Sequence, residues 1–134
     1  MDFDNSSPIW SQLLAEFSRR IVVGHWQPGT RLPGVRDLAA ELGVNPNTVQ
    51  RSLSELERAG LCRTERTVGR FVTGDGDRID EERRNLARGA GDDFVRRVRG
   101  LALSRDEAQS LVATRWEETD TGTGTETDTE TEEQ

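Results

Sequence analysis

Lysine is absent from this chain, and all 18 of its basic residues are arginine. Two explanations for that absence remain open. GC-rich coding replaces lysine with arginine, whereas adaptation to high salt favours a weakly hydrated guanidinium together with abundant carboxylates. If the chain is adapted to salt, attraction between exposed charges is screened, and direct contacts must carry a larger share of specific binding.

Cysteine and histidine occur only once each. Cys62 alone cannot form an internal disulfide or a cysteine metal cluster. Its position in a short alternating run predicts a small buried residue and not a redox sensor. His25 has no partner for a catalytic triad, so we interpret it as a packing or surface residue. No clustered carboxylates lie near either residue, and we therefore predict no enzyme activity, no metal site and no cofactor.

Long apolar runs are also missing, and the N-terminus shows no signal-peptide pattern. We therefore expect a soluble, cytoplasmic protein without a membrane partner. A length of 134 residues allows one domain and an appendage.

The net charge of −7 is distributed unevenly along the chain. Residues 1–74 carry +1, residues 75–116 are neutral and residues 117–134 carry −8. The last segment has no apolar residue, which predicts a disordered acidic tail. Two roles remain open for that tail: solubility, and transient competition for a basic surface elsewhere on the protein.

A helix-turn-helix is predicted over about residues 35–54. Apolar residues recur at steps of three and four from Val35 to Leu42, and a glycine turn follows. Asn45 is a good N-cap for the second helix, and Pro46 stands at the first helical position, where no amide is needed. Gly60 ends that helix.

The second helix presents hydrogen-bonding side chains to solvent, because its apolar residues must face a core. Amides, hydroxyls and guanidinium groups are what base edges and phosphates require. The candidate DNA contacts on this helix are Asn45, Asn47, Thr48, Gln50 and Arg51. We interpret Asn47 and Gln50 as adenine contacts, with capping or solvation as the alternative, and Arg51 as a phosphate clamp. Thr48 fits either role.

Residues 61–73 alternate, turn and return, which predicts a two-stranded hairpin, the wing. The wing arginines contact phosphate or are simply solvated. A basic DNA-binding surface forms if five arginines cluster on one side of the domain: Arg31, Arg36, Arg51, Arg66 and Arg70.

Two amphipathic helices follow a short linker, Gly74-Asp75-Gly76-Asp77. The first is predicted from about Asp80, and Ser104 to Glu107 form a capping box for the second. Gly89 and Gly91 kink or divide the first helix, or let a partner helix approach closely. Two such helices need a partner to bury their apolar stripes, so we predict a dimerisation segment over residues 78–116. The predicted dimerisation residues are Leu86, Phe94, Val98, Leu101, Leu111 and Val112.

The run from Pro8 to Val72 resembles the GntR family of winged-helix transcription regulators. The matching residues are Pro8-Ile9-Trp10, Gln12, Gly24, Pro28-Gly29, Leu32-Pro33, Arg36, Leu38-Ala39, Leu42-Gly43-Val44-Asn45, Asn47-Thr48-Val49, Leu53, Leu56-Glu57, Gly60-Leu61, Gly69 and Phe71-Val72. The resemblance implies an operator-binding dimer in which Arg36 reaches the DNA backbone or a base and Gly69 lies near the minor groove. The short remainder of the chain is similar to the compact YtrA-type branch, whose last helices serve dimerisation.

This chain departs from the family pattern at two positions. Gly34 stands where the family commonly has a serine that caps the helix, so one hydroxyl contact is missing. Arg66-Thr67-Val68 replace a second wing glycine, which puts a close approach of the wing to DNA in doubt.

The predicted fold is mainly α with a small β-hairpin. A winged helix-turn-helix covers residues 7–75 and opens with a helix capped by Ser7; the helical dimerisation segment and the acidic tail follow. Our first functional hypothesis is a homodimeric, sequence-specific transcription regulator, a repressor whose partners are double-stranded DNA and a second copy. The alternatives are a winged-helix protein-interaction module and a non-specific architectural protein, and a small-molecule effector remains open.

Overall fold

A computed structural model describes residues 1–133 of the protein, with side chains for residues 1–121. Three helices, a β-hairpin and two further helices follow in that order. They are α1 Ile9–Val22, α2 Val35–Leu42, α3 Pro46–Arg58, β1 Cys62–Glu65, β2 Gly69–Val72, α4 Gly76–Gly100 and α5 Arg105–Glu133. The mainly α fold with one hairpin is thus confirmed. The chain divides into two compact units, residues 1–88 and residues 89–134.

The helix-turn-helix forms where the sequence predicts it. Gly43 has φ 67°, a left-handed backbone that ends α2 tightly. The side chain of Asn45 accepts a hydrogen bond from the Asn47 amide at 2.7 Å, and Pro46 follows at the first helical position of α3. The predicted cap is therefore confirmed, and it fixes where α3 begins.

One hydrophobic core holds the first unit together. Leu13 and Phe17 of α1 are 0% exposed, as is Leu56 of α3. The wing adds Val72, also 0% exposed, so the hairpin is packed onto the helices by the core. Burying side chains of this size stabilises the fold by about 1.5 to 3 kcal/mol each.

The wing is a two-stranded antiparallel hairpin in which Cys62 pairs with Val72 and Glu65 with Gly69. The segment before α2 runs along β2: the Leu32 amide donates to the Arg70 carbonyl at 2.8 Å, and the Val72 amide donates to the Thr30 carbonyl at 2.9 Å. These bonds hold the wing next to the start of α2.

Two predicted helix starts were wrong. Ser7 does not cap α1; Pro8 occupies the N-cap position, and the Ser7 carbonyl instead accepts from Gln12 Nε2 at 2.9 Å. The helix α4 begins at Gly76 and not near Asp80, because the Asp75 carboxylate accepts from the amides of Asp77 and Arg78, at 3.0 and 3.3 Å. A residue that we placed in a linker thus acts as a cap.

Two arginines of α4 fasten its first turns to the winged domain. Arg78 Nε donates to the Ala59 carbonyl at the C-terminal end of α3, at 2.9 Å. Arg83 Nη2 donates to the Val22 carbonyl at the C-terminal end of α1, at 2.7 Å. Cations suit helix C-termini, whose carbonyls lack partners and carry partial negative charge.

The second unit contains the end of α4 and the whole of α5. The predicted capping box is confirmed, because Ser104 Oγ accepts from the Glu107 amide and Glu107 Oε1 accepts from the Ser104 amide, each at 3.1 Å. The glycines at 89 and 91 do not divide α4, which continues to Gly100.

The first residues of the predicted disordered tail, residues 117–121, are helical. The helix α5 continues through residues 117–121, where Thr119 Oγ1 donates to the Arg115 carbonyl at 2.9 Å and Arg115 pairs with Glu118. These contacts and two glutamates favour helix over coil there. The side chains of residues 122–134 lie outside the described part of the chain, and so does the rest of that prediction.

Candidate nucleic-acid interface

The solvent face of α3 carries most of the polar side chains that the sequence assigned to DNA. Asn47, Gln50 and Arg51 are exposed and Thr48 is half-buried, whereas Val49 on the opposite side is fully buried. Asn45 differs from the others, because its side-chain oxygen is already used for the cap. Gln50 Nε2 makes only a long contact with Ser54 Oγ, at 3.5 Å, so Asn47 and Gln50 are the amides that can turn to base edges.

Arginines of the winged domain fall into two groups according to ion pairing. Within residues 1–121, four of the nine arginines that precede Asp75 contact a carboxylate, and these are Arg19, Arg20, Arg58 and Arg63. The other five carry no ion pair among the described side chains, and they are Arg31, Arg36, Arg51, Arg66 and Arg70. These five are the arginines that the sequence predicted to bind DNA. Carboxylates neutralise the other four arginines, whereas the charge of these five stays unpaired among the described side chains.

Arg31, Gly69 and Arg70 lie together in a small cleft between the wing and the start of α2. Gly69 has φ 142°, and a Cβ built on it would lie 2.8 Å from Arg31 Nε. The cleft also includes Gly34, the N-cap residue of α2. Because Gly34 has no side chain, it leaves the first amides of α2 without a capping partner.

Arg70 lies on the inner side of the hairpin. It pairs across the sheet with Thr64 and is half-buried, and its Nε is buried without a hydrogen-bond partner among the described residues. Its charge acts on Cys62: burial, followed by the nearby Glu57, raises the pKa of that thiol to about 11, against a smaller lowering by Arg70. Arg66, in contrast, is exposed in the hairpin turn.

Arg36 is exposed in the first turn of α2 and has no ion pair in the described part of the chain. It follows closely after Gly34 and therefore stands beside uncapped helix amides. A guanidinium and free amides both donate hydrogen bonds, and phosphate oxygens accept them. This end of α2 thus has the donor chemistry of a backbone contact.

Sequence reasoning did not include Trp10 among the candidate DNA-binding residues. The guanidinium carbon of Arg51 lies 4.2 Å from the Trp10 ring centroid. Trp10 also lines a shallow cleft with Asn47, Thr48 and Ile9. The available signal was its position beside Ile9 at the exposed start of α1, away from the buried residues further along.

The predicted dimerisation residues do not all lie together. Leu86 packs against the core of the first unit. In the second unit, Phe94 and Val98 line an apolar groove with Val112 and other residues, and Leu111 lines a neighbouring one. Leu101 is 73% exposed, and the structure places it in neither groove.

Within residues 1–133, no helix is both long enough and apolar enough to cross a membrane. In the same described part of the chain, no three histidine, cysteine or carboxylate residues come together as metal ligands.

Comparison with known proteins identifies the family. Residues 10–72 match the family model described as "Bacterial regulatory proteins, gntR family". The HTH-type regulator YhcF of Bacillus subtilis is 37% identical over 105 residues, which cover 78% of this chain and 87% of YhcF. The repressor YtrA of the same organism is 37% identical over 73 residues, which cover 54% of this chain and 56% of YtrA.

A solved structure extends the likeness to both units of the chain. The GntR family transcriptional regulator from Listeria monocytogenes has a TM-score of 0.77 and 32% identity, over 84% of this chain and 98% of its own. Family model, relatives and fold agree on a DNA-binding transcriptional regulator. This chain belongs to the GntR family of bacterial regulatory proteins.

Proposed function

We propose that this protein is a homodimeric, sequence-specific repressor that binds a palindromic operator in the cytoplasm. The observation that carries the proposal is the selective pairing of arginines in the winged domain. The five that lack an ion pair among the described side chains are the five expected to face DNA, while the remaining four are neutralised by carboxylates. A domain with a net charge near +1 can bind phosphate when the arginines that face DNA are the ones left unpaired.

Specific reading is assigned to the start of α3. Asn47 and Gln50 are exposed amides that can pair with adenine in the major groove, while Thr48 lies half-buried beside them. Arg36, Arg51 and the wing residues supply phosphate contacts, which set the position of the domain without reading sequence.

Dimerisation is assigned to the second unit. Its exposed large apolar residues include Val95, Leu101, Leu111, Val112 and Trp116, and two of these exceed 70% exposure. An apolar surface of this kind is buried most readily against a second copy of itself. In a two-fold dimer, the recognition helices are expected roughly 34 Å apart, one DNA turn, and the operator is then a palindrome.

The repressor role is supported by relatives. YtrA of Bacillus subtilis is named a repressor, and a dimer that occupies a promoter blocks transcription. A protein-interaction module without DNA specificity is the competing function, and the test below separates the two.

Selection of random duplex DNA on the purified protein, at several salt concentrations, tests the proposal. Enrichment of a palindrome that survives at high salt supports a dimer that reads bases directly, whereas no enriched sequence overturns the proposal in favour of the interaction module. Repression is tested separately, with a reporter placed behind the recovered operator.

A substitution tests the dimer. Leu111→Asp is expected to give monomers by sedimentation and to lose preference for the full palindrome. Val23→Asp is the matched control, because Val23 is also apolar and 62% exposed but lies in the first unit. If the Leu111→Asp variant remains dimeric, this surface is not the dimer interface.

A further inference from the structure

Arg51 is held by an aromatic ring and not by a carboxylate. Its guanidinium carbon lies 4.2 Å from the centroid of Trp10, within the range of a cation–π contact. Arg51 has no ion pair among the described residues, so the ring is its main neighbour. The arrangement joins the start of α1 to the second turn of α3.

Trp10 is itself fixed in place by the next residue of α3. Ser52 Oγ lies 2.8 Å from the Trp10 carbonyl and 3.0 Å from the Thr48 carbonyl, so its one proton is shared between them with the shorter contact to Trp10, and Ser52 is 0% exposed. Consecutive residues of the recognition helix therefore contact one residue of α1, Arg51 through the ring and Ser52 through the backbone. The segment before α1 is held as well, because Gln12 Nε2 donates to the carbonyls of Asp4 and Ser7, each at 2.9 Å.

The Trp10 ring does not serve the core in the way that Trp26 does. Trp26 is 8% exposed and packs on Phe17 with ring centroids 5.3 Å apart. Trp10 is only half-buried and borders a cleft that Asn47 and Thr48 also line. Its aromatic face is thus directed to an arginine beside the base-reading residues.

The contact with the ring leaves the hydrogen-bond donors of Arg51 free. The ring centroid lies 4.2 Å from the guanidinium carbon, and the in-plane N–H groups have no hydrogen bond among the described residues. Phosphate oxygens bind arginine in that plane. An arginine loses much rotamer freedom when it is immobilised, and the contact with Trp10 imposes that restriction before DNA arrives.

We propose that Trp10 is a positioning residue for DNA binding, which holds Arg51 ready for a DNA phosphate next to the bases that Asn47 and Thr48 contact. This inference rests on the proposed function, since it requires DNA as the partner. It adds the start of α1 to an interface otherwise built from α2, α3 and the wing.

A double-mutant cycle tests the proposal with Trp10→Leu, Arg51→Ala and the double variant. Affinity for the selected operator is measured at several salt concentrations, with circular dichroism as the check on folding. We expect Trp10→Leu to weaken binding about three- to tenfold, and to have little further effect once Arg51 is alanine. Trp10→Tyr keeps an aromatic face and should stay within about twofold of the parent protein.

The salt dependence distinguishes positioning from a merely structural role. Arg51→Ala is expected to lower the slope of log affinity against log salt by about one. Trp10→Leu removes no charge, yet it should lower the slope too, because the Arg51 contact is lost. Arg58→Ala, an exposed position on the same helix, is the matched control and should leave binding unchanged.

Additive effects of the two substitutions, an unchanged slope for folded Trp10→Leu, or unchanged affinity would each overturn the proposal. If Trp10→Leu does not fold, Trp10→Met takes its place, since methionine fills similar space without an aromatic face. If the protein selects no sequence, the proposed repressor function fails, but the cycle is then run on non-specific duplex DNA at low salt and still decides the role of Trp10. No binding to any DNA overturns both.

Discussion

The Arg31 side chain lies against the backbone of Gly69, close enough that any side chain at residue 69 would displace it. A Cβ there would lie 2.8 Å from Arg31 Nε and 3.3 Å from its guanidinium carbon. Glycine at the wing tip therefore serves two purposes: it adopts φ 142°, and it leaves room for an arginine that precedes α2.

Substitution of Gly69 by alanine should weaken DNA binding by moving Arg31, and should destabilise the wing by about 1 to 3 kcal/mol because of the positive φ. Binding titrations and thermal melts measure the two effects. Gly74→Ala is the matched control, since a Cβ at Gly74 meets nothing within 4 Å. In an Arg31→Ala background, Gly69→Ala should cost little additional affinity. A full additional loss would show that the substitution at residue 69 does not act through Arg31.

Replacement of Arg36 by alanine should weaken operator binding by about 1 to 3 kcal/mol and leave helix content and dimerisation intact. The physical reason is that Arg36 is exposed, unpaired in the described structure and adjacent to uncapped amides of α2. Affinity is measured by fluorescence anisotropy, with Arg58→Ala as control. Unchanged affinity would remove Arg36 from the interface.

Glu16 should make stability depend on pH in the acid range. Hydrogen bonds from Arg19 and then Arg20 lower its pKa to about 2 against an ordinary 4.5, although burial acts in the opposite direction. A carboxyl whose folded pKa is lowered stabilises the fold above its unfolded pKa, and that contribution disappears as pH falls from about 4.5 towards 2.

Urea unfolding across that window tests the Glu16 prediction. The parent protein should lose about 1 to 2 kcal/mol more than Glu16→Gln, since the ion pairs are partly exposed. Glu55→Gln is the control, because its contact with Arg58 is longer, at 3.9 Å. Parallel pH profiles for the parent protein and Glu16→Gln would contradict the assignment.

Arg78→Ala should destabilise the first unit by about 1 to 3 kcal/mol, because it removes a charged donor from the Ala59 carbonyl and an ion pair with Glu82. Thermal unfolding measures the effect. Arg84→Ala is the matched control, since Arg84 is exposed on the same helix and makes no ion pair or side-chain hydrogen bond within residues 1–121. Equal melting temperatures for the two variants would show that the contact of Arg78 with the Ala59 carbonyl does not stabilise the fold.

The thiol of Cys62 should react slowly in the folded protein. Burial raises its pKa to about 11, so little thiolate is present at neutral pH, and the residue is only 4% exposed. Alkylation by iodoacetamide should be much faster after unfolding in urea than before it. Comparable rates in the two states would instead support a role as a redox sensor.

Local signals in the sequence proved sufficient for much of the fold. Asn45 with Pro46, and Ser104 with Glu107, each determine a helix start within a few residues, and both caps were predicted correctly. Asp75 was missed because it stands among glycines that resemble a linker, although its carboxylate caps α4.

Contacts between distant parts of the chain could not be predicted in this way. Arg83 reaches the Val22 carbonyl across 61 residues, and nothing near either residue indicates the other. The contact between Arg51 and Trp10 could not be predicted either, since it depends on how α1 crosses α3. The sequence predicted five arginines as DNA contacts, but it could not show that these five lack ion pairs among the described residues.

The arginine-only composition limits how the charge of this interface can be altered. Acetylation neutralises lysine ammonium groups and weakens phosphate contacts, but it has no side-chain target on Arg31, Arg36, Arg51, Arg66 or Arg70. A guanidinium also keeps its proton at every physiological pH. The charge of these five arginines is therefore insensitive to cellular acetyl donors and to pH. Under the proposed function, control of DNA binding falls to assembly of the dimer or to a ligand that competes for the same five arginines.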